Sequence, residues 1–137
     1  MYLGHLHVEN FRLFGDGQQS LSLSLNKGLN TLVGENDSGK TAILDAVRIL
    51  LGTSSQDSYR IEDTDFHIDN GKLAEYFTIS GRFDELSETD GGAFVEYLTW
   101  ENGTPKLYVT LKARRTHRNS KRWIDVDVRT GKDGSGN

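Results

Sequence analysis

The chain has 137 residues, 35% hydrophobic and 26% charged, with a formal net charge of −4, enough for one domain with its own core. It has no cysteine, which excludes a disulfide framework or a thiolate metal centre and suits a reducing compartment. The longest apolar run, residues 42–51, is interrupted by Asp45 and Arg48 and spans no membrane, and no basic and apolar leader precedes it, so a cytoplasmic protein is expected.

Residues 2–8 read as a first strand with Leu6 and Val8 on one face. His5 and His7 share the other face, and with no third ligand evident they read as structural. Residues 10–14 follow, a turn at 15–17 reverses the chain, and 21–25 alternate as a half-buried strand. A turn at 26–28 leads into a short apolar strand over 28–33. Next comes Gly34-Glu35-Asn36-Asp37-Ser38-Gly39-Lys40-Thr41, and then a helix over 41–51 that Gly52 stops. The segment 53–69 is polar, with five carboxylates, and reads as a loop with room for a short helical turn. Residues 75–83 form a strand and 84–89 a helical turn. Three more strands follow at 94–100, 107–115 and 123–129, separated by 102–105 and by a basic turn. The glycine-rich end, 131–137, reads as a tail or a cut point. Late antiparallel strands after a helix of this kind predict a mixed α/β domain with an antiparallel β-subdomain.

GENDSGKT is a complete G-x-x-x-x-G-K-[ST] phosphate-binding loop, and its setting between strand and helix is the one that the motif requires. Glycines let the backbone approach a phosphate chain closely, and the amides of roughly 37–41 then form an anion nest at the positive end of the helix. The candidate nucleotide-binding residues of the loop are therefore Asn36, Asp37, Ser38, Gly39, Lys40 and Thr41. Lys40 supplies a charge for the β- and γ-phosphates, and the Thr41 hydroxyl is placed to coordinate Mg²⁺. The expected ligands are ATP and Mg²⁺. The alternative, two ordinary turn glycines and a solvated lysine, sets Lys40 at a helix N-terminus with no anion to offset it.

Charge is divided unevenly. Residues 1–105 hold 7 Lys/Arg against 17 Asp/Glu, whereas 106–132 hold 9 against 2. Lys112, Arg114, Arg115, Arg118, Lys121 and Arg122 are the dense part of the basic segment. Such a patch follows a phosphate backbone, meets an acidic protein surface, or is merely a solvated hairpin. Trp123 beside it fits either the core or a base-stacking platform.

A complete ATPase of this type also needs an apolar strand ending in a carboxylate that serves Mg²⁺ and the attacking water. Phe83-Asp84-Glu85 has the acids without the apolar approach, and Asp125 and Asp127 alternate with Ile124, Val126 and Val128 as one wet strand face. The chain thus reads as half of a split ATPase domain.

The run Val8-Glu9-Asn10-Phe11-Arg12, then a short strand, then residues 28–41, resembles the amino-terminal lobe of ABC-type ATPases of the SMC/RecF group. Within that group GENDSGKT together with Asp65-Phe66-His67 is similar to the OLD family of ATP-dependent endonucleases of bacteria and phages, some of them anti-phage. The resemblance covers residues 1–52 most closely, 53–86 less so, and beyond that only the topology. It implies an α/β P-loop NTPase fold, with residues 1–137 as the amino-terminal portion of an ABC-type ATPase domain whose remaining segment and Toprim nuclease lie elsewhere. It implies that Arg12 contacts a phosphate or the base edge, the alternative being a surface arginine beside a core Phe11. It places a polar group sensing Mg²⁺ and γ-phosphate in the loop that holds Asp65 and His67, with Gln56 as a competitor. DNA and a second copy of the chain are the expected partners. The other functional readings are a nucleotide-gated DNA-binding or dimerisation head without nuclease activity, and a small-molecule kinase, which the early antiparallel strands oppose.

Overall fold

The computed structural model describes residues 1–28, 30–31, 39–52 and 60–132. The motif positions Asn36, Asp37 and Ser38, the competitor Gln56 and half of the expected strand over 28–33 lie outside the described residues. Within that stretch Gly28, Asn30 and Thr31 belong to no strand, and the Asn30 side chain closes a turn on the backbone of Asn26 instead.

Strand β1 (Tyr2–Glu9) is flanked by β2 (Leu21–Ser24) and β5 (Tyr76–Asp84); β5 pairs on its other side with β7 (Thr104–Arg118). The first residues of β7 pair with β6 (Thr99–Glu101), and 109–118 pair with β8 (Lys121–Thr130). All these pairings are antiparallel. A small hairpin, β3 (Ile68–Asp69) with β4 (Lys72–Leu73), stands apart. Asn70, Asn102 and Asn119 each open a two-residue turn at φ 51°, 51° and 52°, the left-handed geometry that matches the twist of paired strands.

Helix α1 (Lys40–Leu51) lies on one face of the sheet. Period-2 alternation assigns that face Leu6 and Val8 from β1, Phe77 and Ile79 from β5, and Leu111 and Ala113 from β7, all buried. The helix answers with Ala42, Ala46, Ile49 and Leu50 at helical spacing. Phe77 stands at the centre, with the rings of Phe11 and Phe66 each edge-on to it at 5.0 Å, an arrangement contributing about 0.5–1.5 kcal/mol per pair beyond burial. Gly81 is where the end of α1 comes down: a Cβ there would lie 2.6 Å from a Leu50 methyl. The opposite face is polar and carries His5, His7, Ser80, Arg82 and Thr110.

Two expected elements differ. The strand expected over 94–100 is extended only at its end: α2 (Glu88–Ala93) and a 3₁₀ turn (Val95–Tyr97) precede the short β6. Ser87 and Asp90 form a capping box that starts α2 despite Gly91 and Gly92. Residues 84–89 accordingly are not one helical turn; Glu85 has φ 51° and ends β5. The polar segment holds the short helical turn that its sequence allowed, a 3₁₀ turn at Asp63–Asp65.

Candidate functional site

Gly39 caps α1 in a left-handed conformation, φ 94°, and its amide position is packed so that a Cβ would lie 2.9 Å from the Phe14 ring. Only glycine meets both demands. The Ile43 amide donates to the Gly39 carbonyl at 2.9 Å as the helix begins. The amides of the first turn, Lys40 to Ala42, have no intrahelical acceptor by the geometry of any helix start. Gly39 has no side chain to cap them, and the first turn contains no carboxylate. Lys40 is half-buried and Thr41 exposed there. An anion is the complement of such an end.

Beside this helix end the fold assembles a network that the sequence only partly revealed. Arg12, held at φ 52°, donates from its guanidinium to Asp45 Oδ2 of α1 at 2.6 Å and from Nε to Asp65 Oδ1 at 3.1 Å. Its backbone amide donates to the Asp65 carbonyl at 2.8 Å, and its guanidinium lies 5.0 Å from the Phe11 ring centroid. The second Asp65 oxygen accepts the Glu62 amide at 2.9 Å. His67 Nδ1 is 2.6 Å from the Arg12 carbonyl, which only an N–H can satisfy, so the δ-nitrogen carries the proton. Asp65 and His67 are thus both bonded to other parts of the chain. Phe11 is fully buried, as the alternative reading of that segment held, but Arg12 is not a loose surface residue: it bridges two buried carboxylates. Asp45 was the residue overlooked. A carboxylate at the centre of an apolar helix face signals a buried partner, and that signal was present between Ala42 and Ile49.

Asp63, two residues before Asp65, receives Arg122 of β8 at 2.5 Å and lies 3.5 Å from Arg115 Nε of β7. Neither that nitrogen nor Asp63 Oδ1 makes a well-formed hydrogen bond. The basic segment is therefore divided. Arg115 and Arg122 face the loop, Arg118 pairs with Asp125, and Lys112 lies 4.4 Å over the Tyr76 ring.

Asp84 and Glu85 belong elsewhere. Burial pushes the Asp84 carboxyl up, but hydrogen bonds from Lys106 at 2.8 Å and Arg82 at 3.0 Å outweigh it and hold the group below 3.8. Glu85 pairs with Lys27. On the polar face, burial, Arg82 and His7 keep His5 below 6.5, and Ser22 and Ser24 flank its ring. No group of three metal-ligating side chains occurs among the described residues, and no helix there is long and apolar enough to cross a membrane.

An α/β lobe with a helix seated on an antiparallel sheet and opened by Gly39-Lys40-Thr41 is the P-loop, ATPase-head class of fold. The profile described as AAA domain matches residues 5–133, and the chain belongs to that family. Over 79 residues it is 35% identical to the DNA repair protein RecN of Vibrio cholerae, covering 53% of this chain and 14% of that one. It is 38% identical over 64 residues to the chromosome partition protein Smc of Fusobacterium nucleatum, 47% of this chain and 5% of the other. Against the DNA replication and repair protein RecF of Chlorobium luteolum it is 31% identical over 103 residues, 71% and 24% respectively. The matched region is thus less than a quarter of each of these relatives' length.

Two solved structures share the fold. One, from work on ATP-driven dimerization and DNA-stimulated activation of SMC ATPases, superposes with a TM-score of 0.58 at 20% identity, covering 96% of this chain and 72% of that one. The other, an Smc head bound to the C-terminal winged-helix domain of ScpA, gives 0.57 at 21%, covering 92% and 35%. The chain thus has the fold of these SMC ATPase heads. The narrower expectation of an OLD endonuclease gains no support from these relatives.

Proposed function

We propose that the chain is the ATP-binding lobe of a RecF-, RecN- or SMC-like head, in which nucleotide governs self-association and engagement with DNA in the cytoplasm. The observation that carries this reading is the helix end itself: left-handed Gly39, then Lys40 and Thr41, with no carboxylate in the first turn of α1. In this reading Asn36, Asp37, Ser38 and Gly39 surround the phosphates, Lys40 neutralises them, and Thr41 Oγ1 is the chain's ligand for Mg²⁺, which supplies charge neutralisation at the β- and γ-oxygens. Arg12 joins the site as the group that fixes Asp45 of α1 against Asp65.

Calorimetry of Mg-ATP on wild-type and Lys40→Ala protein tests it, with sedimentation following association. Loss of binding with the fold intact is expected, together with loss of any ATP-induced dimer. Unchanged affinity in a folded Lys40→Ala protein would sink the assignment. Thr41→Ala should keep nucleotide affinity in the absence of metal and lose the part that Mg²⁺ adds.

A second reading, the ATPase lobe of an OLD-like endonuclease, is favoured by one feature: Asp65-Phe66-His67 is docked on Asn10-Phe11-Arg12 through the Arg12, His67 and Phe66 contacts. The nuclease centre would then lie outside these residues. Metal-dependent nicking of plasmid DNA by the whole gene product separates the two readings.

A further inference from the structure

The pairing of β7 with β5 ends at Arg114 opposite Tyr76, whereas its pairing with β8 runs on to Arg118 opposite Lys121. The last four rungs are therefore a two-stranded ribbon that continues past β5. Residues 114–124 hold five Lys/Arg and no carboxylate. Strand alternation divides them between two faces. Arg115 and Arg122 belong to the face of Ala113 and turn to Asp63. Arg114, Thr116, Arg118, Lys121 and Trp123 share the other face, on which Asp125 is the carboxylate that receives Arg118.

Trp123 sits opposite Thr116 at the middle of that face, with Lys121 and Asp125 two residues away on its own strand. It is 51% exposed, so the indole is not a core residue. The chain's other tryptophan, Trp100, is also exposed, but it stands opposite Pro105 and next to Glu101. An exposed indole framed by Arg114, Arg118 and Lys121 combines a stacking surface with a track for phosphates, the two elements of single-strand binding.

We infer that this outer ribbon face is a platform for single-stranded nucleic acid, with an unpaired base on Trp123 and neighbouring phosphates on Arg114, Arg118 and Lys121. A closed duplex offers phosphates to the cations but no open base face to the indole, which is why the single strand is the better fit. The inference rests on the proposed association with DNA and specifies where and in what form the nucleic acid binds.

The test uses Trp100→Phe in residues 1–137, which leaves Trp123 as the sole indole of that stretch. Titration with oligothymidylate should quench its fluorescence, with an affinity that falls steeply with salt and exceeds that for a blunt duplex of equal length. With a labelled oligonucleotide, Trp123→Ala should weaken binding about tenfold, the scale of one lost base–aromatic stack, and Trp123→Tyr should restore most of it. Arg114→Glu with Lys121→Glu should lower affinity and flatten the salt dependence while ATP binding stays unchanged. Single-strand affinity unchanged in Trp123→Ala overturns this inference alone. Equal affinity for duplex with no quenching does the same, and so does loss of self-association in Trp123→Ala without loss of nucleic-acid binding, which would make the face a protein contact. No nucleic-acid binding by the parent protein overturns the inference and the DNA part of the proposed function together.

Discussion

Asp45 occupies the side of α1 that turns to the sheet, and a carboxylate there is tolerable because Arg12 reaches it from 33 residues away, with Arg48 of the same helix 3.5 Å from its other oxygen. Removing that arginine leaves two carboxylates, 12% and 3% exposed at their side chains, without their shared cation. Arg12→Ala should therefore cost about 3–5 kcal/mol in denaturant unfolding, and Arg12→Lys should recover only part, since one ammonium cannot reproduce the forked geometry. A loss below about 1 kcal/mol would mean that the network contributes little. The components of this network were individually visible in the sequence: Arg12 through the family resemblance, Asp65 through its loop, Asp45 through its place on the helix. Their meeting was not, because it depends on Phe11 and Phe66 packing on either side of Phe77. Asp84 gives a pH test of the same kind. Its folded value lies below its unfolded 3.8, so its stabilisation is present above 3.8 and lost as pH falls through the folded value. Thermal unfolding of wild type should therefore decline more steeply than that of Asp84→Asn as pH drops below 3.8; parallel curves would remove Asp84 as the source.

Strands with strict alternation, such as β1, β5 and β7, were legible to within a few residues, because half-buried sheet positions impose period 2 on the sequence. The stretch 94–100 was not, since Phe94, Val95, Tyr97 and Leu98 fit either period and a local capping box decided the matter. The reach of β7 to Arg118 was likewise hidden, because its turn falls at Asn119-Ser120 rather than at a glycine. Between elements, Asp63 links the basic ribbon to the segment that carries Asp65. Arg122 is 53% exposed, so solvent screening limits the linkage, and Asp63→Ala should change global stability by no more than about 1 kcal/mol. Hydrogen exchange should nevertheless quicken at both 60–65 and 121–124, which two independent elements would not do. Protection unchanged in either segment would show that the linkage is incidental.

At the scale of the whole molecule the question is whether this lobe can turn over the nucleotide that it is proposed to bind. Cradling phosphates takes a helix end, Lys40 and Thr41, but hydrolysis further requires a carboxylate able to orient water. Among the described residues the buried carboxylates are Asp45, Asp65 and Asp84. Asp45 and Asp65 are both bonded to Arg12, and Asp84 is held by Arg82 and Lys106. A carboxylate whose oxygens are taken up by a guanidinium or ammonium partner is not free to orient a water. Residues 1–137 should therefore bind Mg-ATP and release it intact, with phosphate release no faster than in Lys40→Ala. Turnover in this ATPase class would then require a carboxylate contributed from outside these residues. Lys40-dependent hydrolysis at an ordinary enzymatic rate would contradict this and mean that one of the three acids leaves its arginine when nucleotide arrives, or that a carboxylate outside the described residues serves. Asp45→Asn would identify it first, because Asp45 alone lies on the phosphate-loop helix, and a hydrolysis rate abolished by that change with ATP affinity preserved would reassign Asp45 from a structural anchor to the catalytic base.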